Sequence, residues 1–89
     1  MMNKEKKKNT KPFTRETVMN RFEVRLEYKN TDNEYIPVKY FEPLHFEFLS
    51  QAKYFCNDLK FRLDTNERYA VYDTLCNGKL KYYAVKESK

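Results

Sequence analysis

From Arg21 onward the chain alternates strictly. Phe22, Val24, Leu26 and Tyr28 fall on one parity and Arg21, Glu23, Arg25, Glu27 and Lys29 on the other. A period of two marks a half-buried strand. Asn30-Thr31-Asp32-Asn33 is a turn cluster, because Asn and Asp tolerate left-handed backbone and bond to their own main chain. A second run, Glu34 to Phe41, places Ile36, Val38 and Tyr40 on one side. Pro37 has no backbone donor, so this strand is expected at a sheet edge. The two runs together predict a hairpin.

After Pro43 the period changes. Leu44, Phe48, Ala52, Phe55 and Leu59 recur at intervals of three and four, with Phe46, Leu49 and Cys56 widening the stripe. This spacing predicts an amphipathic helix that starts at Pro43, a residue suited to a first helical turn, and ends near Asn57. Phe48 and Phe55 are its expected core residues, facing Val24 and Leu26 of the first strand. Leu59, Phe61 and Leu63 alternate and fit either a short strand or a frayed last turn. Arg68 to Leu75 and Lys79 to Val85 are rich in Tyr, Val and Leu and flank Asn77-Gly78, the favoured pair for a two-residue hairpin turn. Such a turn pairs Leu75 with Leu80, Tyr72 with Tyr83 and Val71 with Ala84. The expected fold is therefore α+β: hairpin, helix, hairpin (ββαββ), a small antiparallel sheet with one helix packed across a face.

Charge divides the chain differently. Residues 1–21 carry seven Lys/Arg against two Glu, and residues 22–89 carry eleven Lys/Arg against eleven Asp/Glu, so the whole net charge of +5 lies at the N-terminal end. Residues 1–12 are polar, lack apolar periodicity and end at Pro12. They are expected to form a flexible basic arm on a single domain at 13–89. Fifteen aromatic residues, eight Tyr and seven Phe, argue against disorder in that domain, since each can bury about 150–250 Å².

Composition also narrows the chemistry. The single glycine, Gly78, cannot supply a dinucleotide fingerprint, a P-loop or the two-glycine clamp of a KH module. His45 is the only histidine, and Cys56 and Cys76 stand far from it and from each other in sequence. That spacing does not make a zinc site. Cys56 is expected to pack as a small hydrophobe, Cys76 to be exposed beside the turn, and His45 to lie on a solvated helix face. No metal, cofactor or catalytic residue is assigned, and the chain is read as not an enzyme. The basic start runs into Asn9, Thr10 and Lys11 rather than an apolar stretch, so a cytoplasmic protein with reduced thiols and no membrane partner is expected. Abundant Lys, Asn and Tyr with only three Ala suggest an AT-rich genome, such as that of a phage or mobile element.

What remains is binding. Lys4, Lys6, Lys7, Lys8, Lys11 and Arg15 would attract a polyanion. If Leu75, Leu80, Val71 and Ala84 face the core, Tyr72 and Tyr83 lie on the opposite face with Lys79 and Lys81 beside them. Aromatic rings among ammonium groups on an open sheet are the ingredients of a base-stacking platform. The signs that alternate from Arg21 to Lys29 instead suggest a self-neutralised solvent face. Two functions follow as expectations: a small nucleic-acid-associated protein, or an inhibitor or adaptor that binds a protein or nucleoprotein complex. A body this small with an edge strand could also form a homodimer.

Overall fold

A computed structural model of the chain describes residues 14–86; the expected arm at 1–12 lies outside them. The described elements are α1 (Arg15–Met19), β1 (Phe22–Lys29), β2 (Tyr35–Pro37), β3 (Leu44–Phe46), α2 (Leu49–Leu59), a 3-10 turn (Lys60–Arg62), β4 (Glu67–Asp73) and β5 (Lys79–Val85). All five strands belong to one antiparallel sheet in the order β2-β1-β4-β5, with β3 also paired to β1. Helix α2 packs across one face, which gives the α+β architecture that the two periodicities predict.

Strand β1 organises the sheet. β4 pairs along it from Phe22↔Asp73 to Tyr28↔Glu67. Its other edge is shared: β2 covers Glu27–Lys29 and β3 covers Phe22–Val24. Between them the Val38 amide donates to the Leu26 carbonyl at 2.8 Å. Pro37 ends β2 on an edge strand, where its missing N–H removes no ladder bond.

The helix starts later than its apolar stripe suggests. Leu44 and Phe46 lie opposite Val24 and Phe22, and His45 lies opposite Glu23. The triplet Leu44-His45-Phe46 alternates as well as it spirals, and the vacant edge of β1 decides the matter, because unpaired backbone groups there would lose their hydrogen bonds. Phe48 is therefore not a core residue of the helix. It is the extended residue before the first turn, 55 % exposed, and its amide donates to the Gln51 side chain at 3.1 Å. Residues 59–63 do not form a strand: α2 tightens into the 3-10 turn, which leaves Phe61 exposed and drops Leu63 into the core.

The core between helix and sheet consists of Phe22, Val24 and Leu26 from β1, Tyr69 and Val71 from β4, Ala84 from β5, Ala52 and Cys56 from α2, and Val38 and Leu63 from connections. Half-buried Phe55 bridges to it, with its ring 5.8 Å from Phe46 and 5.6 Å from Tyr69. Tyr82 reaches the helix from β5 and donates its hydroxyl to Asn57 Oδ1 at 2.8 Å.

The β4–β5 connection also departs from expectation. Asn77 and Gly78 do adopt positive φ, +55° and +64°, and the Lys79 amide closes their turn on the Cys76 carbonyl at 3.0 Å. The ladder nevertheless stops at Asp73↔Lys79, so the connection holds five residues rather than two. Asp73 is the cause. Arg21 grips its carboxylate through Nε (2.8 Å) and Nη2 (2.7 Å), and the Leu75 amide donates to the same group at 3.1 Å. A second turn, closed by the Cys76 amide on the Asp73 carbonyl at 3.0 Å, draws Thr74–Cys76 out of the sheet. A β-bulge then adds one residue to β5 between the pairs Val71↔Tyr82 and Tyr72↔Leu80. Tyr72 thus faces Leu80, Tyr83 faces Ala70, and the expected pairs Leu75–Leu80, Tyr72–Tyr83 and Val71–Ala84 do not form. The Arg21 guanidinium holds the Asp73 carboxyl below the usual carboxylate range against the opposing effect of burial.

Candidate nucleic-acid interface

The face of the sheet away from α2 is built by alternation. β1 contributes Glu23, Arg25, Glu27 and Lys29, β4 contributes Arg68, Ala70 and Tyr72, β5 contributes Leu80, Tyr83 and Val85, and β2 contributes Tyr35, which lies opposite Lys29. Two charge clusters order it. In the first, Arg68 Nε donates to Glu27 Oε1 at 2.8 Å while the Tyr72 hydroxyl donates to Glu27 Oε2. The Arg68 guanidinium lies 3.8 Å from the Tyr35 ring centroid and 5.1 Å from that of Tyr83. In the second, Arg25 Nε donates to Glu23 Oε2 at 2.7 Å and its guanidinium lies 4.3 Å from the centre of the Tyr72 ring.

The carboxylates sit at the bottom of this arrangement. The Glu27 side chain is 3 % exposed and the Arg68 side chain above it 12 %. Burial, with the hydrogen bond to Glu27, raises the Tyr72 pKa and keeps its hydroxyl a donor. Arg25, Lys29, Arg68 and the tyrosines surround two carboxylates, so this face shows a partner Arg25, Lys29 and Tyr83, together with the exposed apolar side chains Leu80 and Val85 of β5.

The sequence-derived candidates separate in the structure. Tyr72 and Tyr83 do share the open face. The Tyr72 ring, however, is half-buried under Arg25, whereas Tyr83 is 54 % exposed. Lys79 lies opposite Asp73, on the parity of the other face, and Lys81 is the extra residue of the bulge, near enough for its charge to act on Asp73. Lys79 therefore leaves the face that the tyrosines share. Arg15 stands on α1, a short helix capped by the reciprocal bonds Thr17 N–H to Thr14 Oγ1 (3.2 Å) and Thr14 N–H to Thr17 Oγ1 (2.9 Å). Lys4, Lys6, Lys7, Lys8 and Lys11 lie outside the described residues.

Arg25, Arg68 and Tyr35 were not singled out by the pattern. The sign alternation of β1 does predict the Glu23–Arg25 pair, two residues apart on one strand. It carries no sign that the same guanidinium also lies over the Tyr72 ring of β4.

His45 projects from β3 rather than from a helix, with Nε2 3.6 Å from Glu23 Oε1. No cluster of three or more His, Cys, Asp or Glu suited to a metal ion occurs among the described residues, and no described helix is long and apolar enough to cross a membrane. Cys56 is buried and Cys76 exposed, as their sequence contexts suggest. Burial pushes the Cys56 thiol up to about 12. A thiol-disulfide reagent at mildly alkaline pH is therefore expected to titrate one thiol per native chain and two after denaturation, because only a thiolate reacts. Two fast equivalents from the native protein would show that Cys56 is not sealed between α2 and the sheet. Comparison of the chain with protein-family models, curated proteins and solved structures finds no match.

Proposed function

We propose that this chain is a small non-enzymatic nucleic-acid-binding protein. Its basic N-terminal segment (Lys4, Lys6, Lys7, Lys8, Lys11 and Arg15) supplies sequence-independent attraction to phosphates, and the open face of its sheet supplies the contact made by the body. The observation that carries this reading is the layering of that face, where Glu23 and Glu27 are held in internal ion pairs, Arg68 is enclosed between tyrosine rings, and Arg25, Lys29 and Tyr83 remain open to solvent. Residues 22–89, of zero net charge, thereby gain a locally cationic, aromatic surface.

Fluorescence anisotropy with labelled oligonucleotides at several salt concentrations tests the proposal. Binding is expected at low salt, with the log of the association constant falling by about 0.7–0.9 per log unit of salt for each phosphate neutralised. Replacing the five arm lysines by glutamine should weaken every sequence alike and flatten that slope by several units. Absence of binding at low salt by the intact chain overturns the proposal.

A second reading, an inhibitor or adaptor docking on a protein, draws on a different surface. Tyr54 and Phe61 are 74 % and 68 % exposed on the outer side of α2 and the turn after it, and aromatic side chains are enriched at protein interfaces. Its outcome separates cleanly from the first: Tyr54→Ala should then abolish capture of the partner and leave oligonucleotide binding untouched.

A further inference from the structure

We infer that the open face takes the unpaired bases of a single strand, one base stacked on the guanidinium of Arg25 and another on the ring of Tyr83. This inference rests on the nucleic-acid reading above and specifies its ligand. Arg25, Ala70 and Tyr83 form one row across three neighbouring strands, through the pairs Arg25↔Ala70 and Ala70↔Tyr83. Ala70, the smallest side chain of the row, is fully covered. The side chains around Ala70 close over it, so the two planar groups, two strand spacings or about 10 Å apart, receive a base on their outer sides and not in the gap between them.

Each plane is held in place. Arg25 cannot swing freely, since its Nε is bonded to Glu23 and one side of the guanidinium rests on Tyr72. With the side chain still 35 % exposed, the opposite side of the plane is left for a ligand. Tyr83 is steadied by Arg68, which the buried Glu27 carboxylate fixes in turn. Arginine planes and aromatic rings are the surfaces on which splayed-out bases stack. In a duplex those base faces are already stacked on one another and only the edges reach the grooves, so a duplex gains charge attraction here and nothing more. The net charge of +5 carried by residues 1–21 complements such a polyanion.

The structure thus shifts the stacking role away from Tyr72, which acts as a positioning residue under Arg25. The test uses the full chain, a labelled oligothymidylate single strand and a labelled duplex. Arg25→Lys keeps the charge and removes the plane. It is expected to weaken single-strand binding at least about fivefold, the low end of one lost stack, and to leave duplex affinity and the salt slope unchanged. Tyr83→Leu should behave the same way, and Tyr83→Phe, which keeps the ring, should bind like wild type. Wild-type affinity of both Arg25→Lys and Tyr83→Leu for the single strand, or an equal loss on single strand and duplex, overturns the inference while the nucleic-acid reading stands. Failure of the intact chain to bind either probe overturns both.

Discussion

Leu63→Ala is expected to remove most of the stability of the protein. Leu63 is the largest fully buried side chain of the described residues, and it closes the end of the core where the 3-10 turn hands over to β4. Truncating a buried leucine costs about 2–5 kcal/mol, since the lost transfer energy is compounded by the cavity left behind. A single core in a body of this size supplies only about 3–5 kcal/mol in total. Urea denaturation followed by circular dichroism should therefore show a midpoint near zero denaturant. Phe48→Ala is the control: with its side chain more than half exposed, its effect should stay within about 0.5 kcal/mol. A Leu63→Ala protein that unfolds with a wild-type midpoint would mean that the chain after α2 does not complete the core.

That contrast marks where the fold was legible and where it was not. The parity of β1 was legible as far as Leu26, because eight consecutive positions alternate and a one-residue slip would turn every one of them over. Beyond it Glu27 is buried and Tyr28 exposed, against the expected solvent face, because Glu27 meets Arg68 across the sheet. The two C-terminal strands were legible from their richness in Tyr, Val and Leu, and the positive φ of Asn77 and Gly78 from the Asn-Gly pair between them. Leu44, Phe46 and Phe48 satisfy both a spiral and an alternation, and only the free edge of β1, more than twenty residues earlier in the chain, selects the strand. The register of the last hairpin depended on Asp73 meeting Arg21, a pair 52 residues apart. No local turn preference encodes such a contact.

The candidate site was legible in kind rather than in membership. An exposed sheet face bearing tyrosine and cations follows from the parity of Tyr72 and Tyr83. Which cations join it depends on the bulge, which carries Lys79 to the other parity, and on the pairing of β1 with β4, which brings Arg25 to Tyr72 and Arg68 to Glu27. Charge pattern on one strand reveals that strand's own ion pairs. The partners lying across the sheet become visible only once the strand order is known.

The same pairing of β1 with β4 leads to the second large expected effect. Arg68→Ala should destabilise the protein by about 3–5 kcal/mol, because it leaves the buried Glu27 carboxylate without its counter-ion. The Tyr72 hydroxyl remains as a donor, but one neutral hydrogen bond does not replace a charged one at 2.8 Å. Removing both charges should hurt less than removing one: Glu27→Gln combined with Arg68→Ala is expected to be more stable than Arg68→Ala alone, which a double-mutant cycle in urea would measure. Arg68 also lies against Tyr35 and Tyr83, so its loss should loosen the open face even where the core survives, with single-strand affinity falling further than duplex affinity in the double variant. If Arg68→Ala costs less than about 1 kcal/mol, the value of an exposed ion pair, then Glu27 is reached by water and the open face is a solvated surface rather than an ordered platform.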